Sequence, residues 1–92
     1  KADIFIALPG SFGTLDEIMQ VIVTKQLAYH KKTIAFLDVD NYYQPLFMMF
    51  ENFYKYGFAR DFNRELYYIT DSIDDLFEYC NKYKEKEFEF KY

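Results

Sequence analysis

Near the start of the sequence, Gly10, Ser11, Phe12, Gly13 and Thr14 stand just ahead of the carboxylate of Glu17. Gly10 and Gly13 let the backbone approach a ligand with no Cβ in the way. If a helix opens here, the amides of Gly13 and Thr14 point outward unpaired, and the helix dipole adds partial positive charge. Phosphate binds at such a place without help from lysine, and the Thr14 hydroxyl offers one more donor. These five residues are therefore the candidate phosphate-binding set, although a Gly-x-x-Gly spacing also suits a plain tight turn. Glu17 likewise has two readings. Thr14-x-x-Glu17 fits a capping box, a stabilising device that needs no ligand. A carboxylate set beside an anion site is instead repelled by its neighbour, which makes Glu17 the candidate catalytic group. Gln20 and Thr24 lie on the Glu17 side of the same helix and are candidate pocket-lining residues.

The elements that must hold these residues are legible in the apolar pattern. Ala2–Leu8 is a near-continuous apolar run, as expected of a strand covered on both faces. Thr14 to about Tyr29 reads as a helix. Its inward stripe is Leu15, Ile18, Met19, Ile22 and Tyr29, widened by Val21, Val23 and Leu27. His30 is a C-terminal capping or interface residue. Thr33–Val39 is a second strand, and Asp38, Asp40 and Asn41 end it and cap the next helix. That helix runs from about Tyr42 to Tyr56, with Pro45 in its first turn, Leu46, Met49, Phe50 and Phe53 inward, and Gly57 just past its end. After a charged loop at Arg60–Arg64 comes a short strand, Leu66–Thr70. Ser72-x-x-Asp75 then opens a last helix whose Leu76, Phe77, Cys80 and Tyr83 share a face. The tail from Lys82 to Tyr92 alternates charge with aromatic residues. Residues 84–92 suit either a frayed helix end or a short added strand.

The order is β-α-β-α-β-α, an α/β class with a parallel, Rossmann-like sheet and helices on both faces. Three such units make a narrow doubly wound sheet with an open edge. Lys1 is not a methionine, and a strand begins almost at once. Residues 1–92 therefore read as a single partial domain, the C-terminal part of a longer polypeptide.

Composition bounds the function. The chain has 92 residues, 51% of them hydrophobic, and a net charge of −4, so it is globular and lacks the basic footprint of a nucleic-acid binder. No run is long enough to span a membrane and the start is not a signal peptide. One cysteine, Cys80, excludes an internal disulfide and fits a cytoplasmic setting. Its place on an apolar helix face reads as buried and inert. No Cys/His metal cluster and no Ser-His-Asp triad is present.

The segment Pro9-Gly10-Ser11-Phe12-Gly13-Thr14-Leu15-Asp16-Glu17 resembles the P-G-G-x-G-T-x-x-E signature of the LONELY GUY (LOG) family. That family comprises cytokinin riboside 5′-monophosphate phosphoribohydrolases, long labelled lysine decarboxylases. Gln26-Leu27-Ala28-Tyr29-His30-Lys31-Lys32 is similar to the family's Q-L-G-x-H-x-K-P segment. Leu37 to Tyr43 is similar to its L-N-x-x-G-Y-Y, and Gly57-Phe58 to its later G-F. Ser11 replaces the second motif glycine and Asn41 the glycine of G-Y-Y. If the family backbone needs positive φ at Ser11, serine costs strain; if it needs only close approach, the hydroxyl is another donor. Asn41 tolerates a left-handed conformation.

The resemblance implies hydrolysis of the N-glycosidic bond of an adenine-type ribotide, with no metal or redox cofactor. The 5′-phosphate would lie on the Gly10–Thr14 turn. Glu17 would stabilise the positive charge that gathers on the ribose and orient the attacking water. It also implies a homodimer with a nucleoside monophosphate as substrate, acting on neither nucleic acid nor membrane. The family's catalytic arginine comes from a motif upstream of this segment and has no counterpart here, Arg60 and Arg64 being in the wrong place. Two other readings stand beside this one. Related proteins carry molybdenum cofactor on a similar turn without chemistry, and a truncated scaffold fragment would keep the turn alone.

Overall fold

The computed structural model describes residues 3–80 and 88–91. A four-stranded parallel sheet forms the centre, in the order β3-β2-β1-β4. The strands are β1 (Ile4–Ala7), β2 (Thr33–Leu37), β3 (Tyr68–Thr70) and β4 (Phe88–Lys91), and the helices are α1 (Phe12–Gln26), α2 (Gln44–Lys55) and α3 (Ile73–Cys80). Alternation along the strands divides the core in two. Phe5, Ala7, Ile34 and Phe36 face α1 and α2, where Ile18, Ile22, Phe47 and Phe50 meet them. Ile4, Ile6, Ala35 and Leu37 face the other way and pack on Leu76 and Cys80 of α3. Strands buried on both faces explain the unbroken apolar runs, and the arrangement is the expected Rossmann-like α/β fold.

Several expectations are corrected in detail. α1 begins two residues earlier than Thr14 and ends at Gln26 rather than at Tyr29. It closes on a Schellman turn, in which Tyr29 N–H donates to the Thr24 carbonyl and Ala28 N–H to that of Lys25. Ala28 fills the left-handed position of that turn at φ 68°. Val23, Leu27 and Tyr29 are consequently exposed, so the wide stripe is buried on one side only. On α2 the inward residues are Phe47 and Phe50, with Leu46 partly buried against the core as expected, while Met49 and Phe53 face outward. Gly57 closes α2 as expected, at φ 78°, with Phe58 N–H bonded to the Phe53 carbonyl. The stretch Arg60–Arg64, read as a loop, falls largely in a 3-10 helix over Asp61–Leu66, so β3 begins at Tyr68 rather than Leu66, and a shorter 3-10 turn takes Val39–Asn41. Phe77 is exposed, whereas Leu76 and Cys80 are buried; Tyr83 lies outside the described residues.

The tail brings the largest change. Of its two readings, the added strand is the one observed over Phe88–Lys91. β4 pairs in parallel with β1, Ile4 opposite Phe88 and Ala7 opposite Lys91. β1 is thereby an inner strand, and the edges of the sheet are β3 and β4.

Candidate functional site

β1 ends at Ala7, the chain turns through Leu8–Ser11, and α1 departs at Phe12. In open parallel α/β sheets ligands settle outside the carboxyl ends of the strands, and this turn lies there. The first bond within α1 runs from Leu15 N–H to the Ser11 carbonyl, 3.0 Å. The amides of Phe12, Gly13 and Thr14 therefore have no acceptor inside the helix. Ser11, the N-cap residue, makes no side-chain cap. Its φ of −126° is negative, so serine in place of glycine meets no left-handed strain. A Cβ built on Gly13 would meet nothing within 4 Å, so the chain's own packing leaves that side open. Thr14 is 3% exposed, and its Oγ1 is buried without a hydrogen-bond partner. A buried hydroxyl left orphaned is costly unless a ligand or water completes it. Phe12 projects into solvent beside the turn.

Two tyrosines that the residue-by-residue reading passed over hold the turn in place. The Tyr42 hydroxyl donates to the Gly10 carbonyl and the Tyr43 hydroxyl to that of Leu8. Their approach depends on Asp40 and Asn41, both left-handed at φ 53° and 59°. Asn41 thus does take the conformation anticipated for a glycine substitute. Asp38 fixes the segment from below: it is buried, accepts the Tyr43 N–H at 2.7 Å and the Gln44 amide at 2.8 Å. Burial, together with Tyr42 and Asp38 nearby, pushes the Tyr43 phenol above its ordinary pKa, keeping it a donor.

With α1 starting at Phe12, Glu17 stands on the second turn, and no acidic residue occupies the first. The capping box with Thr14 is therefore absent. Glu17 is about half exposed and lines a groove of about 270 Å³ with Phe5, Gln20, Val21, Thr24 and Lys91. The expected neighbours Gln20 and Thr24 are there. Their polar atoms are partly engaged: Gln20 Nε2 lies 3.2 Å from Asp16, and Thr24 Oγ1 donates to the Gln20 carbonyl at 2.8 Å. His30 does cap α1. Its Nδ1 accepts the Lys32 N–H, and its Nε2 lies 3.0 Å from the Val21 carbonyl. The Gly10–Thr14 turn does not line this groove. Its last residue, Thr14, lies about 4.5 Å from Glu17 along the helix axis, three residues at about 1.5 Å each.

Lys91 is the residue that sequence reasoning missed. Its Nζ lies 3.5 Å from Glu17 Oε1, a contact between residues of α1 and β4. Arg64, by contrast, pairs with Glu51 and Asp61 and covers the Tyr54 ring, and Arg60 lies over Phe62. Neither arginine lines the groove. Cys80 is buried among apolar residues, and burial raises its thiol pKa, which removes it from nucleophilic chemistry.

The family model described as "Possible lysine decarboxylase" matches residues 1–80. The chain belongs to the LOG family. A probable cytokinin riboside 5′-monophosphate phosphoribohydrolase of Oryza sativa subsp. japonica is 37% identical over 83 residues, 90% of this chain and 34% of the relative. A cytokinin riboside 5′-monophosphate phosphoribohydrolase of Arabidopsis thaliana is 36% identical over 84 residues, 91% of this chain and 39% of the relative. The chain spans about a third of the length of the curated relatives it matches. The LOG signature at Pro9–Glu17 coincides with the open helix mouth and with the carboxylate over the groove. Among the described residues no helix is long and apolar enough to cross a membrane.

Proposed function

We propose that the protein is a nucleoside 5′-monophosphate phosphoribohydrolase of LOG type, acting on an adenine-type ribotide. The mouth of α1 takes the 5′-phosphate on the amides of Phe12, Gly13 and Thr14, with Ser11 and Thr14 hydroxyls as further donors. The ribose then extends along α1 toward Glu17. As the bond between C1′ and the base nitrogen breaks, positive charge gathers on the ribose ring. The Glu17 carboxylate stabilises that charge and orients the water that attacks C1′. The products are free base and ribose 5-phosphate.

The observation that carries this reading is the position of Glu17. It caps nothing, stands on the second turn of α1 and faces a groove, so helix stability does not account for it. The open side of Gly13 and the orphaned Thr14 hydroxyl support the phosphate half of the reading. The family likeness carries a homodimer with it, for which exposed Val23, Leu27, Phe53 and Phe58 offer apolar surface.

The test uses full-length protein with AMP and with an N6-prenylated AMP, following free base by chromatography. Release of base is expected, and Glu17→Gln should lower kcat by about a hundredfold or more, the scale of one electrostatic transition-state contact. An unchanged rate in Glu17→Gln refutes the assignment. Tight retention of the nucleotide with no turnover by the parent protein would make it a binder instead.

A further inference from the structure

The Gly10 carbonyl lies one residue ahead of the N-cap Ser11, and no amide of α1 bonds to it. The Tyr42 hydroxyl donates to it instead, from the far end of β2. We propose that Tyr42 is a positioning residue for the phosphate: by holding the Gly10 carbonyl it turns the Ser11 amide toward the anion, as a fourth donor beside those of Phe12, Gly13 and Thr14. This rests on the phosphate half of the reading above and adds to it a residue that acts through the turn rather than on the ligand.

A trans peptide is planar, with its C=O and N–H on opposite sides. No peptide bond among the described residues is cis, so a Gly10 carbonyl fixed on Tyr42 also fixes the Ser11 N–H, which points away from Tyr42. That N–H has no acceptor among the described residues. Tyr43 makes a like bond to the Leu8 carbonyl, with a different result. The next residue there is Pro9, which has no N–H to aim. The buried Tyr43 therefore anchors the turn, and the half-exposed Tyr42 orients it.

The support under Tyr42 is stiff. Its ring stands edge to face on Tyr43 at 5.1 Å, and Tyr43 stands on Phe36 of β2 at 5.3 Å. Its backbone follows Asp40 and Asn41, consecutive left-handed residues. Non-glycine residues keep that conformation at a cost, and such strain gathers where a ligand meets a fixed geometry. A half-exposed hydrogen bond adds little to stability, because water competes for both partners. Its benefit lies in an amide that is already turned when the anion arrives.

The experiment compares Tyr42→Phe and Tyr43→Phe with the parent in the full-length protein. Each is measured for ribose 5-phosphate affinity by calorimetry, for kcat and KM on AMP, and for thermal midpoint. Tyr42→Phe should weaken ribose 5-phosphate and raise KM by about tenfold each, the scale of one hydrogen bond to a charged group. Its kcat should stay within about twofold, because the phosphate is held alike in the ground and transition states. Its midpoint should stay within about 2 °C of the parent. Tyr43→Phe should reverse the order, with the larger fall in midpoint and the smaller rise in KM. A parent-like affinity for ribose 5-phosphate in Tyr42→Phe overturns the positioning role. Equal losses of affinity and of midpoint in the two variants overturn it too, leaving both tyrosines as props of the turn. If the parent binds ribose 5-phosphate but releases no base from AMP, the hydrolase reading fails, and a tenfold weaker Tyr42→Phe still upholds the positioning role. If the parent binds no ribose 5-phosphate, the anion site and the positioning role fail together.

Discussion

Ser11→Asp separates the stability of α1 from what its mouth binds. Ser11 is the N-cap residue but leaves the cap unmade, so the first amides of the helix wait without an acceptor. Aspartate at the same backbone conformation can reach them, and its charge also suits the helix dipole. The gain is about 0.5–1 kcal/mol, which in a domain of this size raises the thermal midpoint by about 2–8 °C. The same carboxylate would then stand where the 5′-phosphate is held. At about 4 Å and an effective dielectric of about 20, the repulsion is about 4 kcal/mol per unit of phosphate charge. Half of that, after solvent and salt screening, still amounts to about a thirtyfold rise in KM. The assay is a thermal melt paired with base release from AMP at fixed ionic strength. The expected result is a more stable protein that binds substrate worse. A variant that melts higher and keeps the parent KM would refute the claim that an anion occupies this mouth.

Two further outcomes are expected from the geometry. Ala28→Gly should raise the thermal midpoint by about 2–4 °C, because relief of the left-handed Cβ strain at φ 68° outweighs the entropy that glycine adds to the unfolded chain by about 0.5 kcal/mol. Tyr43→Phe should lower unfolding free energy by about 1–2 kcal/mol in a urea titration, since it strips the Leu8 carbonyl of its buried donor.

The sheet and its helices were legible because both faces of every inner strand are buried, which writes an unbroken apolar run into β1 and β2. The ends of α1 were not. Ser11-Phe12-Gly13 carries no apolar periodicity that marks the first turn, and Thr14-x-x-Glu17 imitates a cap at the wrong register. Ala28 hid the other end, since alanine gives no warning that the chain turns left-handed there. The choice between Phe47 and Met49 on α2 rested on a rotation that only packing decides, and Phe36 decides it by meeting Phe47 edge to face at 5.2 Å. At the site, the glycines, Thr14 and Glu17 announced themselves by type and spacing. Lys91 did not, because a contact between a helix and a strand far apart in sequence leaves no local pattern.

The pairing of Ile4 with Phe88 has a further consequence, for the timing of folding. Strands β1 and β2 can join as soon as the first crossover is made, but β4 closes a loop that runs nearly the whole length of the described chain, at a correspondingly larger entropic cost. During synthesis the wall beside Glu17 is thus the last to arrive. Amides shared by β1 and β4 should open to hydrogen exchange before those shared by β1 and β2, and a nascent protein would carry an assembled sheet for some time before it carried a finished groove.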